Sequence, residues 1–123
     1  YLKSTKIINK FNFDTFTKNS SINSSTMIVR RSIVGTLKFK KIKKLEDYLF
    51  KCELLNRRVD SAYKYDQATA YYRILNSSRS SRRLLNIFYL WEINKKFNKF
   101  NLVQNIKSLI GIIINSLKKY GFK

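Results

Sequence analysis

Apolar positions recur most regularly across residues 36 to 59, TLKFKKIKKLEDYLFKCELLNRRV. There Ile42, Leu45, Leu49, Cys52, Leu55 and Val59 fall three or four apart. That is one stripe of an amphipathic helix, and it predicts a helix over the segment. Lys43 with Asp47, and Asp47 with Lys51, would be i,i+4 neighbours on it. A second helix is expected from about Ser61 to Leu75, with Asp60 or Ser61 as N-cap and Asn76 as its stop. Ala62, Tyr65, Ala68, Tyr72 and Leu75 would face the first helix in an antiparallel pair. Residues 84 to 93, LLNIFYLWEI, form a short apolar run that suits strand or helix equally. Residues 102 to 117, LVQNIKSLIGIIINSL, have the length of a helix and are apolar nearly all round from Leu109 to Ile114. The polar interruptions Gln104, Asn105, Lys107 and Ser108 leave this stretch short of the roughly 20 apolar residues of a membrane span. It needs cover that so small a chain cannot supply, so Leu109, Ile110, Ile113 and Ile114 are expected to contact a neighbouring protein.

Residues 1 to 31 lack such a pattern. They are rich in Ser, Thr and Asn, and Ile7, Ile8, Phe11, Phe13 and Phe16 are only loosely spaced. The composition suits an extended arm lying on a partner, and it also overlaps with that of a mitochondrial transit peptide. The pattern as a whole predicts a mainly α chain: a helical pair and a C-terminal helix joined by extended basic loops, with an extended N-terminal arm. Residues 1 to 31 would be a basic extension and residues 32 to 123 a single small domain.

Charge changes the picture most. Lys and Arg number 26 against 7 Asp and Glu, a formal net charge of +19. Such an imbalance penalises the folded state by self-repulsion, and a polyanion relieves it. Nucleic acid comes first among such partners, an anionic membrane surface second and acidic proteins third. Lys38, Lys40, Lys41, Lys43 and Lys44 come before the first acid of the segment, Glu46. At a helix start they oppose the macrodipole, which favours phosphate contact over a merely solvated face. Between the two expected helical regions lies RILNSSRSSRRLLN, residues 73 to 86. Asn76, Ser77, Ser78, Arg79, Ser80, Arg82 and Arg83 make it either a solvated linker or a phosphate grip. Arginine forks bind phosphate bidentately, and serine hydroxyls donate to the same oxygens. Arg30, Arg31, Lys95, Lys96, Lys99, Lys118 and Lys119 complete the candidate RNA-binding set. Tyr63, Tyr65, Tyr71 and Tyr72 could stack on bases or simply pack.

Chemistry is excluded by what is missing. The chain has one cysteine and no histidine, so neither a disulfide, a multi-cysteine zinc site nor a Ser-His-Asp or Cys-His arrangement can form within it. The seven acids are scattered, and three glycines make no phosphate-cradling loop. No catalytic residue, metal or cofactor is expected. The absence of proline and the abundance of Lys, Asn, Ile, Phe and Tyr match AT-rich codons, as in an organelle genome.

Several of these residues also carry a resemblance. Asn76-Ser77-Ser78 is followed by the basic Ser81-Arg82-Arg83, then by Lys99-Phe100-Asn101-Leu102, and finally by Leu117-Lys118-Lys119 with Phe122. Upstream, Tyr48-Leu49-Phe50-Lys51 heads a long helical pattern. In order and spacing, residues 36 to 123 resemble the universal small-subunit ribosomal protein fourteen family. That family's Pro-Arg, Asn-Arg-Cys and Thr-Gly-Arg elements are replaced here by Ile74-Leu75, Leu84-Leu85-Asn86 and LLNIFYLWEI. Contacts of that turn's arginines therefore do not carry over, and Cys52 alone places the chain with the zinc-free branch. The resemblance implies a structural protein of the small-subunit head in a mitochondrial ribosome, in the matrix. It would organise small-subunit rRNA and pack on neighbouring ribosomal proteins rather than form a homo-oligomer. Two other readings remain open: a basic, lineage-specific mitoribosomal protein, or an accessory subunit of a mitochondrial inner-membrane complex, the latter suggested by the apolar stretches 84 to 93 and 102 to 117.

Overall fold

Side-chain caps set where the first and last helices start. The computed structural model describes residues 8–67, 70 and 83–120. Its elements are β1 (Lys10–Phe11), α1 (Phe13–Asn19), a 3-10 turn (Ser24–Thr26), α2 (Arg31–Val34), α3 (Glu46–Arg57), β2 (Ala62–Tyr63), α4 (Arg83–Lys96) and α5 (Leu102–Tyr120). The fold is mainly helical, as the sequence pattern predicts.

The N-terminal segment differs from the expected extended arm. Asn12 caps α1 in a reciprocal box: its Oδ1 accepts from the Thr15 N–H at 2.8 Å, and the Thr15 hydroxyl oxygen accepts from the Asn12 N–H at 2.8 Å. Asp14 in the first turn pairs with Lys18 in the last at 2.7 Å. Phe11 and Phe16 enter the hydrophobic core. Asn12, Thr15 and Asn23, part of the composition that suggests an extended arm, are thus caps, and two of the loosely spaced phenylalanines drive the docking. Residues beyond α1 are held as well. The buried Lys51 donates to the Ile22 carbonyl at 2.8 Å and to Asp47 at 3.0 Å, and the Ser24 hydroxyl donates to Asp47 at 2.9 Å.

Helix α3 begins at Glu46, not at residue 36. Glu46 and Asp47 put negative charge at the positive end of the dipole, whereas lysines 38 to 44 would oppose it. Leu45 takes a left-handed conformation, φ 62°, that separates the basic segment from the helix. The predicted Lys43–Asp47 helical pair is consequently absent, while Asp47–Lys51 forms. The apolar stripe survives this shortening: Leu49 and Cys52 are fully buried, Leu55 nearly so, and Ile42, Leu45 and Val59 pack against the same core from outside the helix.

The expected helix from Ser61 to Leu75 does not form over residues 61–67, and the rest of it, residue 70 apart, lies outside the described residues. Instead Ala62–Tyr63 pairs antiparallel with Lys10–Phe11, Phe11 opposite Ala62. Alternation across the two residues suits a strand: Ala62 packs on the core while Tyr63 faces out. The ambiguous run 84 to 93 is helical, within α4, and contributes Leu90 and Ile93 to the core. A tight connection leads from α4 to α5, with Lys99 left-handed at φ 57°. Asn101 and Gln104 then cap α5 reciprocally, at 2.8 and 3.0 Å.

Helix α5 packs on α1 through polar groups and a glycine. A Cβ at Gly111 would lie 2.6 Å from the Lys18 carbonyl oxygen, so only glycine allows this approach. Ser108, buried, donates to the Thr17 carbonyl at 2.6 Å, and the Asn115 amide donates to the Asn19 carbonyl and side chain and to Ser21. At the centre is Asn94, fully buried. Its Oδ1 accepts from the Tyr48 hydroxyl at 3.1 Å and from Asn98 at 2.9 Å; its Nδ2 donates to Asn105 at 3.2 Å and to Ser108 at 2.9 Å. Among the described residues no helix is long and apolar enough to cross a membrane.

Candidate nucleic-acid interface

The basic segment 38 to 44 is fastened to α3 and the core by three of its residues. Phe39 stacks on Phe50, centroids 4.3 Å apart and planes at 13°. Lys40 pairs with the buried Glu53 at 2.6 Å and lies 4.9 Å from the Phe97 ring centroid. Ile42 packs against the core. Between these anchors Lys41 and Lys43 remain exposed, and Lys44 lies half-buried with its Nζ 5.8 Å from the Tyr89 ring. The expectation that the run sits on opening helical turns is therefore corrected. It is a non-helical rail, and Lys40 serves to hold it.

Opposite the rail runs α4, and the two enclose an open groove of about 860 Å³. Lys41, Lys43 and Lys44 line one side; Phe88, Tyr89, Trp91, Lys95 and Lys96 of α4 line the other, with Phe97 following. Five lysines thus face one carboxylate there, Glu92. Lys95 and Lys96 occupy the last turn of α4, where the dipole favours cations. A smaller recess of about 180 Å³ adjoins, sharing Trp91 and Lys95 and reaching Phe100 and Leu102. Lysines around exposed rings can contact both phosphates and bases.

Of the candidate RNA-binding residues, the structure brings Lys41, Lys43, Lys44, Lys95 and Lys96 together, from segments about fifty residues apart. Arg30, Arg31, Lys38, Lys99 and Lys118 are exposed without lining the groove. Lys119 is half-buried near the end of α5. Asn76, Ser77, Ser78, Arg79, Ser80 and Arg82 lie outside the described residues; Arg83 opens α4, its side chain likewise outside. The groove aromatics Phe88, Tyr89, Trp91 and Phe97 are absent from that candidate set. For the first three the signal is the aromatic content of LLNIFYLWEI, legible once the run is placed on a helix; Phe97 lies beyond that run.

The expected protein-contact residues divide. Ile110, Ile113 and Ile114 are exposed at 51%, 38% and 46%, and Leu102, Val103 and Ile106 extend the same outward face. Leu109 instead packs on the chain's own core, because it falls on the inward side of α5 beside Asn105 and Ser108. The expected apolar surround thus resolves into an inward side that mixes Asn105 and Ser108 with Leu109 and Ile112, and an aliphatic outward face.

Burial pushes the Cys52 thiol up to about 12 and the Tyr48 hydroxyl well above its usual range, so neither is an activated nucleophile or base near neutrality. Burial works to raise the Asp47 carboxyl as well. The Lys51 ammonium, with hydrogen bonds from Lys51, Ser24 and the Tyr48 N–H, outweighs it and holds Asp47 below its ordinary value. Among the described residues no three or more Asp, Glu or Cys gather as metal ligands. Comparison of the chain with family models, curated proteins and solved structures finds no match.

Proposed function

We propose that this chain is a structural, RNA-organising protein of a ribosome, on the small subunit of a mitochondrial ribosome in the matrix. One observation carries the reading. Two lysine clusters distant in sequence converge on a groove lined by aromatic rings, in a chain with a net charge of +19. Small-subunit rRNA would neutralise that charge and occupy the groove, with Arg79, Arg82 and Arg83 of the adjoining basic stretch clamping phosphates. The resemblance of residues 36 to 123 to the small-subunit ribosomal protein fourteen family supplies the placement in the subunit head.

The outward face of α5 supports the second half of the proposal. Six large aliphatic side chains there stay 38% to 64% exposed among the described residues, as suits a protein packed among ribosomal neighbours rather than standing alone. Self-association is disfavoured by like charge. The same face favours a second reading, an accessory subunit resting on the mitochondrial inner membrane. Sedimentation of the tagged chain through a sucrose gradient at low magnesium, with carbonate extraction of membranes, separates the two. Comigration with the small subunit, and release by carbonate, are expected. Comigration with the large subunit would overturn the subunit assignment, and retention in the membrane pellet would favour the second reading.

A further inference from the structure

We propose that the groove between residues 41 to 44 and α4 takes an unpaired stretch of RNA, its bases stacking on Phe88 and Trp91. This rests on the RNA-binding reading above and names the class of RNA. The rings in the groove are not equivalent. Lys44 lies over Tyr89 at 5.8 Å, and Phe97 has Lys40 at 4.9 Å and Lys96 at 5.5 Å. Those faces are already occupied by cations. Phe88, among the described residues, has no such cation. It meets Tyr89 only edge-on, at 5.9 Å and 73°, and stays 59% exposed. An uncovered phenylalanine between lysine rails is costly in water and useful to a flat, apolar ligand face.

Trp91 lies one helical turn from Phe88 and lines both the groove and the smaller recess beside it. A base on Phe88 would have its neighbour within reach of Trp91, while Lys41, Lys43, Lys95 and Lys96 track the backbone. Duplex RNA keeps its bases stacked on one another and offers phosphates and hydroxyls only, so it could use the lysines but not the rings. Glu92 repels phosphate within the groove and accepts hydrogen bonds from base amino groups. Unpaired nucleotides use every one of these features.

Trp91 is the chain's only tryptophan, so its emission reports on the groove directly. The test titrates the full chain with a single-stranded, unpaired oligoadenylate and with a duplex RNA of equal length, following Trp91 emission and, separately, binding by anisotropy of labelled RNA. Oligoadenylate is expected to quench Trp91 and the duplex to leave it unchanged. Phe88→Ala should weaken oligoadenylate binding by about 5-fold to 100-fold, the range of one base–ring stack, with duplex affinity unaltered. Phe88→Tyr should retain binding. Circular dichroism of both variants should match the parent, because Phe88 is largely outside the core. Tight binding of both RNAs with unchanged emission and no effect of Phe88→Ala would overturn stacking while leaving RNA binding intact. Binding of neither would overturn both.

Discussion

Asn94 meets four partners with four hydrogen-bonding capacities, and each partner sits on a different turn or element. A buried amide so satisfied stabilises; its removal takes a partner from the Tyr48 hydroxyl and from the Asn105 side-chain oxygen, both away from water. Asn94→Leu is therefore expected to cost about 3 kcal/mol in urea unfolding, and an unchanged midpoint would contradict the hub role. Read by composition, the abundant asparagines look like codon bias. Their positions on the apolar sides of α4 and α5 are in the sequence, but their partners become visible only when the helices are apposed. Cys52 gives a pH signature from the same interior. Its thiol is raised from an ordinary 9.0 to about 12, so the unfolded chain releases that proton first. The Cys52 contribution is intact below about pH 9 and is lost as pH rises toward about 12. Between about pH 8 and about pH 10.5, the parent should lose more stability than Cys52→Ala, measured by urea midpoints; equal losses would refute the assignment.

Helix existence was legible from a 3.6-residue period in α3 and from the length of the apolar run in α5, and boundaries followed from charges and caps. Ile42 and Leu45 extend the apolar period of α3 backwards, but the charge of the lysines around Ile42 opposes the dipole, and the helix starts at Glu46. The strand at Ala62–Tyr63 was illegible, because two residues carry no period and its partner lies about fifty residues earlier. In α5 the sequence identifies an apolar helix but not which side is inside. Gly111 decides that, by letting α5 approach the α1 backbone. Gly111→Ala, otherwise favourable to a helix, must here push the helices apart or shift Lys18. It is expected to cost about 1–3 kcal/mol, read as a lowered thermal midpoint. A neutral or raised midpoint would mean that the α1–α5 contact is looser than this geometry.

At the scale of the whole molecule, a net charge of +19 already pointed to a polyanion. Which lysines act together was not legible, since Lys41 to Lys44 and Lys95 to Lys96 meet only through the fold. Equally, Lys40 is chemically indistinguishable from its neighbours until Glu53 claims it. The central claim is that the groove lysines neutralise RNA phosphates. Its most direct test is the salt dependence of binding to an rRNA fragment, from about 50 to about 300 mM potassium chloride, for the parent chain and a Lys41, Lys43, Lys95, Lys96→Ala variant. Each lost phosphate contact removes roughly 0.7 to 0.9 from the log–log slope, so the variant should bind more weakly with a slope shallower by about 3. Identical slopes and affinities in the two proteins would contradict the account.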